Sequence, residues 1–315
     1  MTELPVLYQN NSQFRTVYED VCANGSVTAL GLIGSKYSFL VKSLFEQHPN
    51  TTIWILNNKE EAAYFLNDLE VLLPSPPLFY PSSYRRPYNI EETDNANVLL
   101  RAETLQKLKG HTKQLVVTYP EALFEQVLTT EELKRKTLSI DKGDELNIDF
   151  VNETLFEFGF NRVDFVAEPG EFAVRGGILD VHSFSHDEPF RIEFFGDEVD
   201  TIRTFDVSSQ RSIQMHEQVK ILANIEQKVN TEKRQSLFSF LCTKSLVCVQ
   251  NESIVTAEID ALFKHAQKTY KNLSGEIKRQ SPKELFIDGK VFKNGLDALL
   301  SIHFSPTSNP FKLKK

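Results

Sequence analysis

Residues Phe165 to Asp206, FVAEPGEFAVRGGILDVHSFSHDEPFRIEFFGDEVDTIRTFD, alternate turn-forming pairs with short runs of β-branched and aromatic residues. Pro169-Gly170, Gly176-Gly177 and Gly196-Asp197 are turn dipeptides, because glycine reaches backbone angles closed to other residues and proline fixes its own φ. The intervening runs FAVR, ILDV, FRIEFF and EVDTIRTF predict a compact antiparallel sheet. In the last hairpin Phe190, Ile192 and Phe194 share one face, but Val199 and Ile202 are three positions apart. Strict alternation breaks there, and a bulge near Asp200 is expected.

The charges of this region are unusual in kind. From Val151 to Arg211 there are five arginines, at 162, 175, 191, 203 and 211, with thirteen carboxylates and no lysine. Solvated surface normally draws on lysine as well, whereas the planar guanidinium suits two-pronged contacts with carboxylates. Two readings stand open: the arginines face a partner protein, or they pair within their own sheet with Glu171, Glu193 or Asp200. For Arg203 and Arg211 the internal pairing is preferred.

Outward from this segment the texture changes to α/β. Upstream, a strand from Val27 (VTALGLI) leads into a helix over about 38–48, and a strand over 51–56 into a helix over 60–72 with Ala63, Leu66, Leu69 and Leu73 at helical spacing. The stretch PSPPLFYPSSYRRPYNIEETDN holds five of the thirteen prolines and predicts an extended connection. A helix over 95–109, a strand over 114–118 and a helix opening at Pro120 follow. Downstream, a helix near 148–158 precedes the sheet; beyond about Met215 the run VKIL, a helix near 233–240, the strand LVCVQ and a helix over 254–273 restore the α/β pattern. Such alternation predicts a largely parallel sheet covered on both faces. The expected fold is thus an α/β body made from two segments, 1–128 and 214–315, with a small α+β domain containing an antiparallel sheet inserted over 129–213. The end, NPFKLKK, reads as the start of a linker, as in a piece of a longer chain.

Composition narrows the function classes. The 315 residues are 41% hydrophobic, enough to fill two or three cores. No run of about 18 apolar residues occurs and MTELPVLYQNNSQF has no charged-then-apolar leader, so the expected location is cytoplasmic, with no membrane contact. The net charge of -8 speaks against gripping nucleic acid by phosphate neutralisation. Cys22, Cys242 and Cys248 form no CxxC and have no histidine at ligand spacing, so no metal site is expected.

One stretch tests for an enzyme. Gly31 to Ser38, GLIGSKYS, lies between a strand and a helix, where a phosphate loop G-x-x-x-x-G-K-[ST] would sit. Gly31, Gly34 and Ser35 keep the loop small, but Lys36 occupies the glycine position and Tyr37 the lysine position. Backbone freedom and terminal-phosphate neutralisation are both lost, and Ser38, at the magnesium-ligand position, has nothing to cooperate with. The loop reads as degenerate and the chain as non-catalytic; an active P-loop enzyme and a nucleic-acid-binding module are the competing classes, to be tested by ATP affinity and by salt-dependent DNA affinity.

The runs GFNRVDFVAEPGEFAVRGGILDVHS and PFRIEFFGDEVDTIRTFDVSSQRS resemble the UvrB-homology module of the bacterial transcription-repair coupling factors, the Mfd family. LFYPSSYRRPYNIEETDNANVLLRAETLQKL and VVTYPEALFEQVL resemble the first domain of the same family, so the likeness covers most of the chain. It implies a RecA-like, UvrB-like body that has lost its ATP site, an inserted domain that docks on UvrA, and no cofactor in this part, ATP and magnesium belonging to motor domains elsewhere. It implies further that the longer protein engages RNA polymerase and double-stranded DNA through other domains, and that a C-terminal domain covers the UvrA surface until the motor engages. By matching positions, Arg162 and Arg175 fall where the family places UvrA-contacting arginines, with Phe172 and Arg191 as weaker choices. UvrB has R-x-R-G where this chain has Ala173-Val174-Arg175-Gly176, so one cation of that pattern is missing. UvrB's long aromatic hairpin is also not seen between Pro81 and Leu115.

Overall fold

The computed structural model describes residues 12–83, 95–110, 112–184, 186, 188–223, 233–272, 280–305 and 312–314. Residues 84–94, half of the proline-rich connection and part of the stretch from Pro81 to Leu115 in which no aromatic hairpin is expected, lie outside the described residues. The chain forms two compact units, one from 1–92, 104–127 and 234–315, the other from 93–103 and 128–233.

The first unit is built on a seven-stranded sheet. Its strands are β1 (Ser26–Leu30), β2 (Thr52–Ile55), β3 (Leu78–Tyr80) and β4 (Leu115–Thr118), then, after the short β5 (Val127–Leu128) and the second unit, β15 (Leu246–Val249), β16 (Leu300–Ser305) and β17 (Lys312–Lys314). Their order across the sheet is β17-β1-β16-β15-β2-β4-β3, all parallel except β17. The two strands of the late segment therefore stand between β1 and β2 of the early one. β2, β4 and β15 are buried at every residue, as strands covered on both faces must be, and their β-branched runs TIWI, LVVT and LVCV suit that setting.

The helices of this unit follow from local signals. α1 (Ser12–Asn24) precedes β1, and α2 (Lys36–Gln47) follows it. α3 (Lys59–Leu72) is capped by Asn58, whose side chain accepts from the Glu61 backbone N–H, and Glu60 and Glu61 lie in its first turn, where the helix dipole favours negative charge. α4 (Asn95–Lys109), of which residues 104–109 belong to this unit and 95–103 to the second, matches the expected periodic stretch. α5 (Pro120–Phe124) opens on proline as expected. α8 (Glu252–Asn272) buries Val255, Ile259, Phe263 and Ala266, one stripe at helical spacing. No helix among the described residues is long and apolar enough to cross a membrane.

The second unit holds α6 (Thr130–Arg135), β6 (Thr137–Asp141), α7 (Ile148–Glu157), β7 (Asn161–Arg162), β8 (Glu171–Arg175), β9 (Ile178–Val181), β10 (Phe190–Phe195), β11 (Glu198–Phe205), β12 (Ser212–His216) and β13 (Gln218–Leu222). Six strands form a sheet in the order β12-β11-β10-β9-β8-β7, antiparallel except for the β7–β8 pair. Val151 and Leu155 of α7 join Phe172, Leu179, Val181, Phe190, Ile192, Val199 and Ile202 in one core. The β10–β11 ladder pairs Glu193 with Thr201 and Phe194 with Val199, skipping Asp200, so the bulge lies where alternation failed.

Three expectations need correction. VKIL belongs to β13, which pairs with β6, so this unit runs to 233 rather than 213. The segment near 233–240 forms β14 (Arg234–Gln235) and a 3-10 turn, Leu237–Phe240, instead of a helix. Lys312–Lys314, expected to open a linker, pairs with β1 as an edge strand.

Candidate partner-binding cleft

Strand register sets out the outer face of the six-stranded sheet. Ala173 of β8 pairs with Asp180 of β9, Asp180 with Arg191 of β10, and Arg191 with Arg203 of β11. Side chains in one such row point to the same face, so two strands separated in sequence deliver their arginines to one carboxylate.

That carboxylate is Asp180, buried to 1% side-chain exposure. Arg191 donates Nε to one oxygen at 2.6 Å and Nη2 to the other at 2.8 Å, and its guanidinium lies 4.5 Å from the centroid of Phe205. Nη2 of Arg191 also donates to the side-chain oxygen of Gln210 at 3.0 Å. The hydrogen bonds to Asp180 raise the Arg191 pKa further above its already high value. Arg203 pairs with Glu193 in the adjoining row, which also accepts from Thr201. Arg191 and Arg203 are thus framework cations. The expectation that Arg191 faces a partner is corrected, because its side chain is only 15% exposed and its donors are engaged. Phe172 is corrected too: it is wholly buried in the core, with Phe156 edge-on at 5.1 Å, and does not reach the surface.

Arg175 and Arg162 behave differently, and the fold brings them together. Arg175 ends β8 and donates Nη2 to Asp180 and Nη1 to the Asp164 carbonyl at 3.3 Å, yet its side chain stays 41% exposed. Arg162 ends the edge strand β7 and is exposed, its side chain making no hydrogen bond or ion pair among the described residues. The two line an open cleft of about 530 Å³ with Val163, Asp164, Phe165 and Val174.

The loop that lines this cleft is fixed locally. Glu171 accepts the backbone N–H groups of Ala167 and Glu168 at 2.8 and 2.9 Å, so this carboxylate, a candidate partner for the arginines, holds the loop instead. Gly170 sits at φ +88° with its α-carbon against the Phe184 ring, leaving no place for a β-carbon. Gly177, in the β8–β9 turn, lies under the Phe194 carbonyl, where a β-carbon would come within 2.8 Å of the oxygen.

Sequence reasoning missed Phe165. Its ring is 69% exposed and lies beneath Arg175, whose guanidinium carbon is 5.2 Å from the ring centroid. The available signal was an aromatic between Asp164 and the Pro-Gly turn, where no strand face needed it.

The Gly31 loop is in the other unit. Gly31 and Gly34 have positive φ, Ser35 precedes α2, and Lys36 is exposed. Tyr37 is buried, with Phe304 at 5.2 Å and Phe65 at 6.1 Å, and Ser38 donates its hydroxyl to Asp68 at 2.8 Å.

Comparison with known proteins bears on the cleft. Residues 138–226, which contain it, match the family described as the UvrB interaction domain. The chain is 30% identical over 182 residues to a transcription-repair-coupling factor of Haemophilus influenzae and 31% identical over 185 residues to that of Bacillus subtilis, in each case 58% of this chain and 16% of the relative. It is 43% identical over 99 residues to the factor of Mycobacterium bovis, 31% of this chain and 8% of that one. The chain therefore spans under a fifth of the length of these relatives.

Proposed function

We propose, from a chain whose residues 138–226 match the UvrB interaction domain, that its cleft docks UvrA through Arg162 and Arg175. In this reading the chain is a non-catalytic interaction module of nucleotide excision repair. Within a longer cytoplasmic coupling factor it would bring UvrA to RNA polymerase stalled at a DNA lesion.

The observation that carries the proposal is the division of labour among the arginines. Arg191 and Arg203 are engaged by their own sheet, while Arg162 and part of Arg175 face solvent in one cleft. Arginines held on a rigid sheet lose little freedom on binding and commonly dominate interfaces.

The test is retention of purified UvrA on the immobilised chain. Arg162→Glu should abolish retention while leaving the melting temperature close to the parent's, since the exposed Arg162 side chain makes no hydrogen bond or ion pair among the described residues. Arg175→Ala should weaken retention; glutamate at 175 would set a second carboxylate against Asp180 and confound folding with binding. Unchanged retention by the Arg162→Glu variant would exclude the site.

The Gly31 loop is proposed to bind no nucleotide. The engagement of Ser38 by Asp68 and the burial of Tyr37 support this, because two positions that a phosphate loop needs at its ligand are used in packing.

A further inference from the structure

We infer that Phe165 is the apolar anchor of this cleft, and that the segment it accepts carries a carboxylate beside a bulky apolar side chain. The inference deepens the UvrA reading and rests on it.

Phe165 serves no core. It is 69% exposed, whereas its neighbour Val166 is buried with Ala173 and Phe205, so the loop has an apolar residue for packing and a second one turned outward. Its one described partner is Arg175, stacked over the ring. The Asp180 and Asp164 contacts fix the plane of that guanidinium, so ring and cation form a preset platform. A cation over an aromatic face gains strength when water is removed, which a docking partner would do.

The charge of the site selects the occupant. Arg162 and Arg175 line the cleft against one lining carboxylate, Asp164, leaving a surplus of positive charge, and Asp180 beneath Arg175 is enclosed and already shared with Arg191. An incoming carboxylate would meet Arg162 and the outer edge of Arg175. Val163 and Val174 continue the apolar surface beside Phe165, so a residue next to that carboxylate gains by being large and apolar. An arginine beside an exposed ring could also stack a nucleic-acid base, but the chain's net charge of -8 opposes a polyanion, and an acidic protein segment needs only one carboxylate seated.

The experiment measures the affinity of purified UvrA for the whole chain and for its Phe165→Ala, Phe165→Leu and Arg162→Ala variants, at about 0.1 M and about 0.5 M salt. Phe165→Ala should weaken binding by about tenfold at both salt concentrations, with Phe165→Leu recovering most of the loss. The Arg162→Ala loss should shrink at high salt, because exposed charge is screened and apolar burial is not. If UvrA binds and Arg162→Ala weakens it while Phe165→Ala does not, the anchor is overturned and the UvrA reading stands. If the parent chain does not bind UvrA, both fail. A labelled single-stranded oligonucleotide that binds the parent and is released by Phe165→Ala would overturn the acidic-segment assignment in favour of base stacking.

Discussion

Asp180 takes Arg191 as a fork, with Nε at 2.6 Å from one carboxylate oxygen and Nη2 at 2.8 Å from the other. The second of those oxygens also receives Nη2 of Arg175, so one enclosed anion on β9 orders two cations on the strands either side of it, β8 and β10. Arg191 is thereby a structural residue, and Arg175 is both held by the sheet and presented by it.

Removing the shared anion should be costly. Asp180→Ala leaves Arg191 largely buried without a counter-charge, and a loss of about 3 kcal/mol is expected, because a broken buried pair costs more than the intact pair contributes. Urea denaturation measures it. Arg162→Ala, at an exposed site, should stay within about 0.5 kcal/mol of the parent; equal losses for the two variants would refute this division of roles.

The two-segment sheet makes its own prediction. β16 and β15 stand between β1 and β2, so residues 1–127 alone would expose the flanks of both strands along buried registers such as Trp54 with Cys248 and Val27 with Ile302. That fragment should aggregate or show no cooperative melting transition, and addition of 234–315 should restore one. A sharp transition for 1–127 by itself would contradict the topology.

Nucleotide should leave the molecule indifferent. Magnesium-ATP is expected to shift neither the melting temperature nor the heat of titration, with Lys36→Ala indistinguishable from the parent. Ser38→Ala should instead lower stability by about 1 kcal/mol through loss of its bond to Asp68. A saturable heat that Lys36→Ala removes would revive the nucleotide reading.

Stability should fall on mild acidification. Burial holds the pKa of His48 below the ordinary histidine value, outweighing the Lys244 carbonyl that accepts from its ring, and burial lowers His303 in the same sense despite Glu252. A folded value below the unfolded one means that the unfolded chain takes up the proton first. The contribution is therefore complete above about pH 6.5 and is lost as the pH falls from there through the lower folded values. Urea midpoints between about pH 7.5 and about pH 5 should decline, with a shallower slope for His48→Gln; an identical slope would exclude His48 as a cause.

At the Pro-Gly turn, Gly170→Ala combines a φ of +88° with a collision against the Phe184 ring. It should cost about 2 kcal/mol or more. Gly196→Ala, at φ +66° in open space within the β10–β11 turn, should cost about 1 kcal/mol. Matching melting temperatures for the two would show that the ring contact carries no weight.

Much of this architecture was legible in the chain because its signals are local. Turn pairs placed the strands from Glu171 to Phe205, broken alternation located the bulge at Asp200, and proline at 120 opened α5. VKIL was misread because an apolar run of four looks the same whether it joins a parallel sheet or, as β13, pairs with β6. The choice depends on a strand some eighty residues away, and nothing within the run encodes it.

The sequence by itself determined that there would be an α/β body, an inserted sheet and a set of arginines suited to carboxylates, since turn chemistry, hydrophobic period and side-chain type are properties of neighbouring residues. Only the tertiary structure decided which of those arginines are available. Of the candidate partners Glu171, Glu193 and Asp200, Glu193 took Arg203, while register across β8, β9 and β10 gave Arg175 and Arg191 to Asp180 and left Arg162 exposed. Phe165 and Phe172 are the same residue seven positions apart, one 69% exposed and the other wholly buried. Exposure follows from what the remaining chain packs against each side chain, and that is set by long-range pairing.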